Sequence, residues 1–447
     1  MIPKISWLGI PDRIKYELIQ RSEEGNDVSE LLNEWKEIES QDQNTKQFHE
    51  KCENFYRKME GIPENVTNYL NEPSDWDGIV KQSELGADPV PSFASAFVED
   101  RILGGWLGRS AGCLLGKPVE KTPRSGIIEL LSSNNTWPLS DYVTGHEIPE
   151  FLLKKYPWNK HSGRESLKEN IVCMPEDDDM NYPMINLSVA EQCGDTFSTQ
   201  DILAQWMTML PVLSTFTAER VAYANHLNGH QPPQTATVRN PYREWIGAQI
   251  RADLWGWISP GQPSSAAQFA WRDARLSHVR NGIYGEIYFA AAIAAAFKYD
   301  RMPDILAEAL TYIPPRSRFA EAINFVFSIP VQEQSWDKTV DALYSKFGKY
   351  HWVHTINNAA LAVAALLSSN GDFEKGICNV VMGGWDTDSN GATVGSVLGT
   401  MLGAQKLPSK WIEPLNNKIR SSLSGYDNSV LSDLAHRTVK IAKYKPL

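Results

Sequence analysis

Asp386, Asp388 and Ser389 place three side-chain oxygens within four residues, at the head of GGWDTDSNGATVGSVLGTMLGA, 383–404. Oxygen-only sets of this kind suit hard cations such as Mg²⁺, Mn²⁺ or Ca²⁺ rather than zinc. Asp and Ser are also favoured N-caps that complement a helix dipole, so a plain cap is the competing reading. A second acidic run, Asp177-Asp178-Asp179, precedes a helical pattern in MPEDDDMNYPMINLSVAEQC, 174–193. Pro183 is tolerated only in a first turn, so this run also lies at a helix entrance. Five aspartates brought together would repel, and either their pKa values rise or cations fill the gap. Six oxygen ligands split between two runs suit two metals about 3.5–4 Å apart.

The elements that must position these groups carry glycine every fourth residue. Gly391, Gly395, Gly399 and Gly403 follow the second acidic motif; Gly104, Gly108, Gly112 and Gly116 stud VEDRILGGWLGRSAGCLLGKPVE. Each interior glycine costs a helix about 1 kcal/mol relative to alanine. Such a ridge therefore implies close backbone approach, and the two ridges are expected to pack against each other. Gly116-Lys117-Pro118 stops the first helix and leaves Glu120 just past its end. Helical periodicity recurs near 264–278, 283–297, 303–312, 317–327, 336–346 and 355–369, while period-two patterns are nearly absent. The expected fold is all-α, a compact orthogonal multi-helix domain at 93–447. Residues 1–92 read as an N-terminal helical extension ending in the turn GADPVPS, either a flap on the main domain or a partner-binding arm. Residues 132–171 form a long insertion of the sort that rims active sites.

The chain has 447 residues, 42% hydrophobic and 22% charged, with a formal charge of −11. That balance argues against a nucleic-acid or anionic-membrane surface. The five cysteines are dispersed, with no C-x-x-C pair, which suits a reducing cytoplasmic setting. The apolar windows are too short to span a bilayer.

GGWLGRSAGCLLGKPVE, EDDDMNY and GGWDTDSNGATVGSVLG, in that order, resemble the ADP-ribosylglycohydrolase family. The resemblance extends over about 97–440 and includes RADLWGWISPGQP and DARLSH. It implies an all-helical enzyme that holds two Mg²⁺ or Mn²⁺ ions and hydrolyses the glycosidic bond of an ADP-ribosyl group. By motif, Asp177, Asp178, Asp179, Asp386, Asp388 and Ser389 correspond to the metal ligands, and Glu120 to a glutamate that moves protons beside Asp178 and Asp388. Arg251, His278, Asn281 and Gly282 fall in segments that resemble substrate contacts, and Trp385 is placed to stack on a base or to plug the core. Gly112-Cys113 stands where the family usually has Gly-Asp, and the Gly-Ser loop is reduced to Gly247-Ala248. The implied partner is an ADP-ribosylated substrate or ADP-ribose. Two other readings remain open at this point: an ADP-ribose-binding or toxin-neutralising partner without turnover, and a metal-dependent hydrolase of a free nucleotide or nucleoside.

Overall fold

The computed structural model describes residues 5–63 and 65–447, and it is all-α. Among the described residues, named strands are two residues long: Ser92–Phe93 pairs parallel with Lys445–Pro446, and Lys418–Ile419 antiparallel with Ser429–Val430. Helices occupy the segments that periodicity marks, among them Pro263–Ala274, Asn281–Ala295, Arg318–Ser328, Trp336–Phe347 and Thr355–Ser369. No described helix is long and apolar enough to cross a membrane.

At the centre lie two glycine-ridged helices, Ser95–Gly116 and Thr387–Leu402. They interlock through their backbones. A Cβ on Gly104, Gly108 or Gly112 would come within 3.0 Å of the carbonyl oxygen of Gly399, Gly395 or Gly391, and the reverse substitutions meet the same fate. This ladder runs antiparallel, so the C-terminus of the first helix abuts the N-terminus of the second. There Gly116 faces the Thr387 carbonyl, and Thr387 Oγ1 donates to the Gly116 carbonyl at 2.8 Å. Gly403 departs from the expected ridge: it adopts a φ of +81° as the helix C-cap and faces Asp100. The fully buried helices Asn281–Ala295 and Thr355–Ser369 pack around this pair.

The N-terminal helices Ile10–Glu23, Ser29–Glu39 and Lys46–Glu60 share a small core built from Leu18, Trp35, Phe48 and Phe55. The first of them and its C-cap residue carry carboxylates that meet arginines of the main body. Arg243 binds Glu17 at 2.7 Å and Glu24 at 2.8 Å, and Arg280 also reaches Glu24. Further along, Glu72 pairs with Arg318 at 2.8 Å. Removing one member of a buried pair leaves the other charge uncompensated and costs about 3–5 kcal/mol.

Stability measurements on three variants check this picture. Gly395→Ala gains helix propensity yet should lose more than about 2 kcal/mol, because overpacking here meets backbone rather than a movable side chain. Gly86→Ala, where a Cβ meets nothing within 4 Å, should stay within about 0.5 kcal/mol of the parent. Glu24→Ala should lower unfolding free energy by about 3 kcal/mol; a loss below about 1 kcal/mol would show that the extension is only loosely attached.

Candidate active site

The antiparallel ladder brings the end of one glycine helix to the start of the other, and both acidic runs gather there. Asp178, Asp179, Asp386, Asp388 and Ser389 line one cavity of 290 Å³, with Lys117 and Glu120. The N-cap reading separates the two runs. Asp177 does cap its helix, accepting from the Asp179 N–H at 3.0 Å. Asp386 occupies the N-cap position of Thr387–Leu402 but makes no side-chain cap bond. Its backbone N–H instead donates to Asn358 Oδ1 at 3.2 Å, which also accepts from Asn390 at 2.7 Å. Asn358 thereby ties the acidic turn to the neighbouring helix. Ser389 Oγ donates to Asp179 Oδ2 at 3.1 Å, joining the two runs directly.

Cations already stand among these carboxylates. Arg109, fully buried, reaches the Asp179 carbonyl at 3.0 Å, the Asp179 carboxylate at 3.4 Å and Asp253 at 2.7 Å. Lys117 Nζ lies 2.5 Å from Asp177, 2.7 Å from Asp388 and 3.1 Å from Glu120. Burial opposes its charge, but Asp177, Asp388 and Glu120 outweigh burial and hold it well above the usual lysine range. Asp178, Asp179 and Asp386 are pushed well above the carboxylate range, first by burial and then by their acidic neighbours. Glu120 accepts from Lys117 and Asn159 through Oε2 and pairs with Lys121 through Oε1 at 3.1 Å.

The donor set fits a hard cation in one half of the cluster. Ligand oxygens of Glu120, Asp386 and Asp388 lie within 4.8 Å of one another, and buried Asp388 Oδ1 has no hydrogen-bond partner. In the other half Cys113 joins Asp177 and Asp179 at the same spacing, and a thiol is a soft ligand.

Aromatic rings make the facing wall. Trp245 and His351 stack at 4.3 Å with planes 7° apart, and burial pushes His351 down to about 4, so its imidazole is neutral at pH 7. Tyr16 meets both edge-on, at 5.4 and 5.7 Å, while Trp7 meets Phe216 at 5.6 Å. All five rings line the cavity, so the N-terminal extension forms part of it. Asn159 and His161, from the long insertion, also line it.

Arg251, His278, Asn281, Gly282 and Trp385 are not among the residues that line this cavity. Arg251 is fully buried behind the wall, bound to Asp273 at 2.9 Å and Glu219 at 3.0 Å. His278 is buried against Ser277 and lines a separate cavity of 810 Å³ beside Arg243 and Arg275. Asn281 holds Glu72 and Glu244 at 2.8 and 2.7 Å. Gly282 faces the Arg243 carbonyl, too close for a Cβ. Trp385, at φ +56°, stacks on Tyr344 at 4.3 Å and helps turn the chain into the acidic helix.

Sequence reasoning missed Lys117, whose Gly-Lys-Pro context reads as a helix stop, and Glu219, which lines the cavity. Gly247 permits the latter, because a Cβ there would collide with the Glu219 carboxylate. Burial raises Glu219 to about 7, with Arg251 opposing.

A family model described as ADP-ribosylglycohydrolase matches residues 94–444. A solved structure described as "ADP-ribosylglycohydrolase-related protein complex" is similar at 18% identity and a TM-score of 0.49, covering 78% of this chain and 98% of that one. No curated protein matches significantly.

A raised acid keeps a proton in the folded state that the unfolded chain releases. Glu219 therefore makes stability fall as pH rises from about 4 toward 7. In urea denaturation at pH 5 and pH 8, Glu219→Gln should lessen the fall by on the order of 3 kcal/mol. An unchanged fall would assign the pH dependence to other groups.

Proposed function

Because this chain belongs to the ADP-ribosylglycohydrolase family, we propose that its acidic cavity hydrolyses the glycosidic bond linking ADP-ribose to a modified protein or small molecule. The observation that carries this reading is that the acidic motifs, widely separated within the family match, meet in one cavity faced by aromatic rings. The acidic floor suits the hydroxyls of the distal ribose, and the rings suit a flat base, since stacking recognises a π face. Asp178, Asp179, Asp386, Asp388 and Ser389 present the floor's oxygens, with Asp177 set behind them. Mg²⁺ or Mn²⁺ held by these oxygens supplies Lewis acidity and positive potential for a pyrophosphate-bearing ligand.

Glu120 is the group assigned to proton transfer. Asn159 and the two lysines fix its carboxylate at the cavity edge. Held there, it can take a proton from an attacking water or return one to the leaving group. The arrangement requires a titratable oxygen at that point, which an amide does not supply.

The test is release of ADP-ribose from ADP-ribosylated arginine, serine and nucleic acid, with Mg²⁺ or Mn²⁺ present. Turnover on at least one is expected. Glu120→Gln should bind ADP-ribose as the parent does while turnover falls by about 10²–10⁴. Tight ADP-ribose binding with no release from any substrate would instead favour a binding protein.

A further inference from the structure

Lys117 bears on how many metal ions the acidic cavity can take. A lysine ammonium has three donors, and its three neighbours here are Asp177 Oδ2, Asp388 Oδ2 and Glu120 Oε2, at 2.5, 2.7 and 3.1 Å. The side chain is buried, and the ammonium lies where the two acidic runs meet. Its backbone is tethered by the turn Lys117–Val119, directly after the last interlocked glycine.

The two halves of the cluster then differ in what they leave for a cation. In the first half, Asp177 gives one oxygen to its helix cap, and the other lies 2.5 Å from the Lys117 ammonium as an ion pair without hydrogen-bond geometry. Asp179 is already held by Ser389 and Arg109. The third group there is the Cys113 thiol, a poor partner for a hard ion. In the second half, Asp388 Oδ1 is buried without a donor and Asp386 makes no cap bond, while Glu120, within ligand spacing of both, is itself held by Lys117, Asn159 and Lys121.

We infer that the Lys117 ammonium, with Cys113 beside it, takes the place of one of two divalent cations, so that the site binds a single hard ion against Asp386 and Asp388, with Glu120 beside it. This rests on reading the acidic cavity as the reaction site, but not on which bond is cleaved there. A permanent protein cation and one exchangeable ion would together face the ribose hydroxyls.

Mn²⁺ binding to the full-length protein tests this without recourse to turnover. Calorimetry, together with the loss of the free Mn²⁺ signal in electron paramagnetic resonance, should count one ion per chain, with no spin-coupled pair. Lys117→Met keeps length and removes charge. It should bind the first ion at least tenfold more tightly and admit a second, visible as a spin-coupled signal. Asp388→Asn should bind Mn²⁺ at least tenfold more weakly than the parent, which guards against a Lys117 variant that fails to fold. Two ions on the wild-type chain, none on it, or identical stoichiometry and affinity in Lys117→Met would each overturn the inference. One ion on the wild type with no ADP-ribose release from any substrate would retain it and remove the glycohydrolase reading instead.

Discussion

The structure depends on one contact that side chains would prevent, the backbone-on-backbone approach of Ser95–Gly116 and Thr387–Leu402. Each glycine of this ladder sacrifices helix propensity, and the loss is recovered only because the partner carbonyl occupies the space where a Cβ would sit. The pairing is antiparallel and in fixed register, so it determines which helix ends coincide. Lys117 and Glu120 follow the last glycine of one helix, while Asp386, Asp388 and Ser389 precede the first glycine of the other. A slip of one turn would move the two sets about 5.4 Å apart and dismantle the cavity floor.

Electrostatics then decide what such a floor can tolerate. Carboxylates at this density either hold protons or need cations, and both responses are present. Asp178, Asp179 and Asp386 are pushed upward, while Arg109 and Lys117 enter from the first glycine helix. The same helix thus supplies the packing surface and the compensating charge. A second charged layer, in which Glu17 and Glu24 meet Arg243 and Arg280, fastens the N-terminal helices so that Trp7 and Tyr16 reach the cavity wall.

Much of this was legible in the sequence because it is local and periodic. The glycine spacing foretold the helix pair, and the acidic runs announced themselves at helix entrances. Asn159 and His161 came from an insertion whose length alone suggested a rim. What stayed hidden depends on neighbours that sequence does not reveal. Lys117 looks like part of a helix stop until Asp177 and Asp388 are brought beside it. Arg251 sits in a segment that resembles a substrate contact, yet Asp273, Glu219 and Glu286 enclose it. The Trp245–His351 stack joins rings from distant segments, and no periodic pattern marks either one.

The central claim is that the 290 Å³ acidic cavity, and not the 810 Å³ cavity beside Arg243 and His278, is the functional site. The larger cavity is lined by arginines and by as many carboxylates, and Arg243 and Arg280 there are already paired with Glu17 and Glu24. A crystal structure of the protein grown with Mn²⁺ and ADP-ribose tests the claim most directly. The account predicts anomalous manganese density against Asp386 and Asp388, with the distal ribose above it and the base toward Trp245 and His351. ADP-ribose bound in the larger cavity, with the acidic one free of manganese, would contradict it.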